Sequence, residues 1–217
     1  SYELGYQTDI LGNMFTIEAY YRVNHNKIER IETVYGENVT LHRPENVGTD
    51  YSFGNEFMLR LGISRFWDMN LMGNLYQYRI DASYGDQNFS RESLNWNARI
   101  NNSLKLWKKG QVQLNAFYYS PRVSAQGKRE GFFMTDLSVR QDFMDKQLSA
   151  ILQVRDLFGT ANWESIYQGA DFYRYSYLER ESPVVMLTLR LNINNYKEQR
   201  NNGPSGGNNS FDSGGEF

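Results

Sequence analysis

Cysteine is missing altogether, which excludes disulfide frameworks, cysteine–zinc sites and thiol nucleophiles. Four prolines in 217 residues exclude a collagen-like or Pro-rich chain. No run approaches the ~18 consecutive apolar residues of a membrane-spanning helix. Neither charge dominates: 23 basic against 25 acidic side chains leave a net charge of −2, too small a field to point to nucleic acid. The opening Ser1-Tyr2-Glu3 has no basic or apolar leader region. A cytosolic protein, a mature form or an excised piece of something larger all fit that start. What remains is a polar chain rich in rings. Apolar residues make up 40% and mean hydropathy is −0.66, yet 16 Tyr, 13 Phe and 4 Trp bring aromatics to 15%. Disordered chains are poor in such residues, so bulk disorder is excluded.

Periodicity sets the fold class. Leu94, Trp96, Ala98, Ile100, Leu104 and Leu106 alternate with Asn95, Asn97, Arg99 and Lys105. Phe57, Leu59, Leu61 and Ile63 alternate with Glu56, Arg60 and Ser64. Val112, Leu114, Ala116 and Tyr118 alternate with Gln111, Gln113 and Asn115, and Val185 to Ile193 repeats the pattern. In a strand, residues two apart share a face, so each segment has an apolar side and a polar side. A helix would scatter them around its circumference. The chain reads as all-β, with nine strands near 1–10, 14–30, 50–66, 69–82, 92–107, 111–122, 130–143, 147–158 and 182–194.

Short connections at Leu11-Gly12-Asn13, Trp67-Asp68, Lys108-Lys109-Gly110 and Met144-Asp145-Lys146 alternate with longer polar stretches at 31–49, 83–91, 123–129 and 159–181. That layout predicts an antiparallel up-and-down transmembrane β-barrel, short-turned in the periplasm and long-looped outside. Strand length agrees, because soluble strands average about 5–6 residues and tilted membrane strands need about 9–11. A soluble sandwich must bury an apolar inward face, whereas the second face here carries Arg, Asn, Gln, Glu and Lys. Apolar residues are therefore expected to meet lipid and polar ones to line water. Nine is odd, while single-chain bacterial barrels have even counts. The expectation is a partial barrel over 1–194, followed by a flexible Gly/Asn/Ser-rich periplasmic tail over 195–217 that is dispensable for the fold.

The runs GFFMTDLSVRQDFMDKQLSAILQVRDLFGTANW (131–163) and ESPVVMLTLRLNINNYKEQRNN (181–202), with Asp156-Leu157-Phe158 ending the second-last strand, resemble the C-terminal barrel of TonB-dependent receptor-like outer-membrane proteins of Bacteroidetes. The likeness is specific over 130–217 and carried by strand rhythm over 1–129. It implies a 22-stranded barrel in the outer membrane of a Gram-negative cell. It also implies an N-terminal plug outside this chain that engages the TonB complex, and import of a siderophore, glycan or other small ligand. No cofactor is implied. One departure concerns the chain end: many such barrels finish on an aromatic residue of the last strand, whereas Phe217 lies beyond the tail.

Signatures of catalysis are sparse. His25 and His42 stand apart from any metal-ligand spacing, and no Gly-x-Ser-x-Gly elbow or phosphate loop occurs. Asp142/Asp145 and Glu179/Glu181 read as turn and loop charge, and Asp156 as a loop-shaping residue. Tyr20, Tyr21, Phe66, Trp67, Trp107, Tyr118, Tyr119 and Phe143 lie near strand ends and are expected in interfacial girdles. Trp163, Tyr167, Phe172, Tyr173, Tyr175 and Tyr177 crowd the last long loop. They form either an external ligand platform or a packed ring cluster, the latter favoured because a long ordered loop needs its own core. Arg22, Arg60, Arg99, Arg140, Arg155 and Arg190 share the lumen phase, expected to pair with carboxylates sooner than to select anions. Two function classes follow: a TonB-dependent transporter without enzymatic chemistry, or a self-contained β-rich surface adhesin or ligand-binding protein. An enzyme within the barrel comes third.

Overall fold

Alternating apolar and polar residues do build strands throughout the computed structural model, which describes residues 1–37 and 39–193. In chain order these are β1 (Tyr2–Ile10), β2 (Asn13–Gly36), β3 (Val39–Ser64), β4 (Trp67–Tyr84), β5 (Gln87–Trp107), β6 (Gly110–Tyr119), β7 (Arg122–Val123), β8 (Gly127–Arg129), β9 (Phe132–Phe143), β10 (Leu148–Arg155), β11 (Trp163–Gln168), β12 (Tyr173–Leu178) and β13 (Val184–Leu191). Nine form one antiparallel sheet in the order β1-β2-β3-β4-β5-β6-β9-β10-β13, and four form a second sheet ordered β12-β11-β8-β7. The nine strands of the large sheet are those the periodicity picks out. The expected tail, 195–217, lies outside the described residues.

All four of the expected long loops contain strands. Residues 31–49 continue β2 and β3 into one long hairpin, and 83–91 close β4 and β5 through a tight turn at Gly85-Asp86. The β-branched and aromatic residues of Ile31–Tyr35 and Val39–Leu41 suit strands. They look loop-like in sequence because, beyond the lipid, the outward face carries no apolar requirement. The stretches 123–129 and 159–181 supply the second sheet.

Register places whole rows of like side chains across the large sheet. Phe15, Leu59, Leu71, Ile100 and Ala116 are successive cross-strand partners, and one residue along lie Met14, Arg60, Asn70, Asn101, Asn115 and Asp136. The first row belongs to an exposed apolar face that includes Ile17, Phe57, Trp96, Leu114, Leu152 and Leu187. Water would penalise so large an apolar surface and lipid does not. Eleven steps from Trp96 to Trp107, at about 3.3 Å each and tilted near 40°, span about 28 Å, close to a membrane's apolar band. At one rim Tyr2, Tyr21 and Phe53 are cross-strand neighbours, and the Trp96 and Tyr118 rings meet at 4.4 Å. Phe66, Trp107 and Phe143 stand exposed at the tight-turn rim. Tyr20 and Tyr119, expected in the girdles, have the opposite parity and face the lumen side: Tyr20 is buried and donates to Asn74 at 3.0 Å.

Past the outer rim the polarity inverts. Along β4 and β5 the lipid-side pairs run Leu71–Ile100, Gly73–Ala98 and Leu75–Trp96, then become Arg79–Glu92 and Asp81–Ser90. On the opposite face Asn70 and Asn74 give way to Ile80 and Ala82. The buried apolar cluster of Ile31, Val47, Ile80, Ala82 and Ala125 sits entirely in this external part, so among the described residues this core cluster forms where water replaces lipid. A bulge at Asn26 and Val47 redirects the β2–β3 hairpin. Gly48 opens it with φ +151°, and a Cβ there would collide with the Asp81 carbonyl.

The second sheet packs on the lumen-side face of that extension. Ala125 joins the apolar cluster, and Gln126 bonds the Glu32 backbone twice, accepting from its N–H at 2.8 Å and donating to its carbonyl at 3.1 Å. The Ala125 N–H donates to Glu29 at 3.3 Å. Among the described residues β1 and β13 each have one sheet neighbour. Both run from the external rim towards the tight turns, since Tyr2 pairs with Tyr21 and Val184 with Arg155. They cannot pair antiparallel with each other. An antiparallel barrel containing this sheet therefore has an odd number of further strands between them.

Candidate functional site

The aromatic residues of 163–177 fall on the two faces of the β11–β12 hairpin. Trp163, Ser165 and Tyr167 share one face with Arg174, Ser176 and Leu178; Glu164, Ile166 and Gln168 share the other with Tyr173, Tyr175 and Tyr177. The six rings therefore do not make one platform.

On the first face the rings are consumed by packing. Trp163 stacks on Phe132 at 4.8 Å, Phe132 stacks on Tyr119 at 5.3 Å, and Phe117 meets Phe132 edge-on at 5.8 Å. The Arg129 and Arg180 guanidinium groups cover Trp163 at 5.4 and 5.6 Å. Such contacts contribute about 0.5–1.5 kcal/mol each beyond area burial. This cluster fastens the external sheet to the rim of β6 and β9. Tyr167 lies beneath Arg174 at 4.6 Å, and Arg174 donates to the buried Glu32 carboxylate at 2.7 Å. Gly127 lets the Tyr167 ring approach, because a Cβ would stand 2.7 Å from it. Phe172 folds over Gly169 in the hairpin turn. Phe117 and Phe132 belong to no aromatic group that the sequence sets apart. The signal was their parity: Phe117 and Tyr119 alternate with Tyr118, which places them on the Arg99 side.

The second face is open. Tyr173, Tyr175 and Tyr177 are 65%, 53% and 49% exposed and form a ladder along β12. Because the opposite face is seated on the lumen-side wall, this ladder points away from the wall, over the space above the lumen. Partial desolvation and the neighbouring Glu164 carboxylate, which accepts the phenol proton's hydrogen bond, raise Tyr175 above the usual tyrosine range. The Tyr175 phenol therefore stays a neutral donor. Chemically the face offers three ring surfaces, with Gln168, Glu164 and Lys128 beside them.

The lumen-phase arginines divide in the same way. Arg22 lies within 4 Å of Glu3, Glu18 and Glu56, and Arg140 bonds Asp142 at 2.9 Å. Arg99 instead lies over Phe117 at 5.6 Å. Asp156 builds a turn: its carboxylate accepts from the Thr160 and Ala161 N–H groups at 3.0 and 3.2 Å. Histidine is no more suggestive in space than in sequence. His25 sits beside Thr49 at 3.4 Å, and His42, expected in a loop, is in β3, 3.9 Å from Glu32. Among the described residues no group of three or more His, Asp or Glu is placed to hold a metal ion.

Strand rhythm, lipid face and polar lumen wall all point one way, and residues 1–192 match the outer membrane protein beta-barrel family. The chain belongs to that family. No curated protein and no solved structure matches it. Membership places this barrel-family chain in the outer membrane, with its apolar face in lipid and its extended hairpins and second sheet beyond one rim.

Proposed function

We propose that this chain forms part of the wall of a TonB-dependent receptor that imports a small ligand across the outer membrane. The observation that carries the reading is the lumen-side face. Nine strands already exceed the eight that close a barrel filled by its own side chains. Their lumen wall nonetheless remains polar, with the Asn70, Asn101, Asn115 and Asp136 row left facing inwards. A wide lumen lined this way suits a water-filled passage that a separate plug domain can occupy. The exposed tyrosine ladder over the lumen supplies a first contact for cargo, with Tyr173 and Tyr175 binding and Trp163, Tyr167 and Phe172 holding the sheet in place. The family's ordinary role as transport or structural barrels supports a protein without enzymatic chemistry.

A surface adhesin is the second reading, favoured by the exposure of the ladder on the external sheet. The two separate on energy coupling. The full-length outer-membrane protein is expected to bind the purified C-terminal domain of TonB. Absence of that binding, together with unchanged surface binding of ligand in cells lacking TonB, would leave the adhesin.

A further inference from the structure

The external sheet has an unguarded edge whose hydrogen-bonding groups can be assigned. The Gly169 N–H donates to the Phe172 carbonyl at 3.0 Å, which fixes the phase of the β11–β12 ladder. Gln168–Tyr173, Ile166–Tyr175 and Glu164–Tyr177 are then the pairs that exchange no backbone bonds with each other. Their N–H and C=O groups point outwards from the hairpin. On the β11 side those groups are used: the Gln168 N–H donates to Gln126 at 2.8 Å, and the Glu164 carbonyl accepts from Glu130 at 2.9 Å. On the β12 side the corresponding groups of Tyr173, Tyr175 and Tyr177 face the open edge, since β12 is the last strand of its sheet among the described residues.

We infer that β12 receives an extended polypeptide segment as an added strand. Three N–H and three C=O groups come from alternate residues of β12, so they repeat about every 6.8 Å, the two-residue repeat of another extended backbone. A saccharide or a flat aromatic ligand has no matching series of donors and acceptors. Natural edges are commonly blocked by proline, lysine, a bulge or extreme shortness. The far edge of this sheet is blocked in that way, β7 being two residues long. β12 runs six residues, Tyr-Arg-Tyr-Ser-Tyr-Leu, without proline, lysine or bulge, and its one charge, Arg174, lies on the packed face and is paired with Glu32. The same three tyrosines also present their rings on one face, so alternate side chains of the incoming strand lie along the ladder. This surface does not depend on import: it holds whether or not cargo crosses the barrel.

The test uses the full-length protein in detergent and an equimolar pool of random ten-residue peptides. Retained peptides are identified by mass, and amide exchange is followed over Tyr173–Leu178. Peptides are expected to be retained and to slow exchange there. Tyr175→Pro removes one outward N–H at an edge position that tolerates proline, so retention should fall about tenfold while Trp163 fluorescence stays native. Ser176→Pro, whose N–H faces β11, should disrupt the hairpin itself. A check independent of protein folding uses a retained peptide N-methylated at alternate residues: one register should abolish retention and the other should not. The inference is overturned if no peptide is retained, or if both methylated registers bind alike. Slow exchange at this edge in the unliganded full-length protein would also overturn it, showing that another part of the protein already covers β12.

Discussion

Ile100 tests the facing of the large sheet at its most demanding point. It lies four residues inside the Trp96 rim, between Leu71 and Ala116 on the exposed apolar face. At about 3.3 Å per residue and a tilt near 40°, that is about 10 Å below the rim, near the middle of a ~25 Å band. Arginine at such a depth costs about 2–4 kcal/mol on a lipid face. That shifts the folding equilibrium by about 30- to 900-fold. Asn101 is the adjacent residue on the opposite face, between Asn70 and Asn115. An arginine there enters a hydrated polar row and is expected to change stability by less than about 1 kcal/mol. Ala98→Arg should fall between them, because Ala98 is closer to the rim and the side chain can reach the interface. Urea titration of the full-length barrel in lipid vesicles, read by tryptophan fluorescence and heat-resistant gel mobility, gives all three. If Asn101→Arg destabilises as much as Ile100→Arg, the assignment of the two faces is wrong.

Gln126→Ala strips both bonds to the Glu32 backbone and should weaken the external sheet by about 1–3 kcal/mol; faster amide exchange over Gly127–Arg129 with an unchanged barrel is expected, and no local change would contradict the docking. A double-mutant cycle of Phe132→Ala and Trp163→Ala should give a coupling of about 0.5–1.5 kcal/mol, and additive effects would show that their stacking is idle. Burial, opposed by the Ala125 N–H, raises the Glu29 carboxyl above the ordinary glutamate range, so its contribution to stability increases as pH falls through that raised value. Glu29→Gln is therefore expected to be more stable than the native chain near pH 8 and to lose that advantage near pH 4; the reverse order would refute the desolvated setting.

The nine strands of the large sheet and their antiparallel order are legible in the sequence because lipid imposes a period of two on every strand that crosses it, whereas the four short strands of the second sheet, which lie beyond it, read as loops. Leu94 to Leu104 carries that rule openly. It fails where lipid ends. Ile31 to Tyr35 and Val39 to Leu41 read as loop because the apolar alternation lapses there: Ile31 joins the buried cluster, while Val34, Tyr35 and Val39 stand exposed. The candidate site was half legible. The sequence showed the crowd of rings from Trp163 to Tyr177, but the split into a packed face and an open face depends on pairing register, which composition does not reveal. Phe132 carries no local signal for a related reason: its partner Trp163 is 31 positions away and in the other sheet. Tyr20 and Tyr119 were assigned to girdles by position along the strand alone, and parity overrules that.

The central claim is that one face of this sheet meets lipid and the other meets water, and a spin-label scan of β5 tests it most directly. The chain has no cysteine, so a single cysteine placed at each position from Leu94 to Leu104 is the one labelling site within it, and any cysteine elsewhere in the full-length protein is first replaced by serine before reconstitution in vesicles. Accessibility to oxygen, which partitions into lipid, should peak at residues 94, 96, 98, 100, 102 and 104. Accessibility to a polar nickel complex should peak at residues 95, 97, 99, 101 and 103. A profile without this period of two, or one with the two reagents exchanged, would contradict the account.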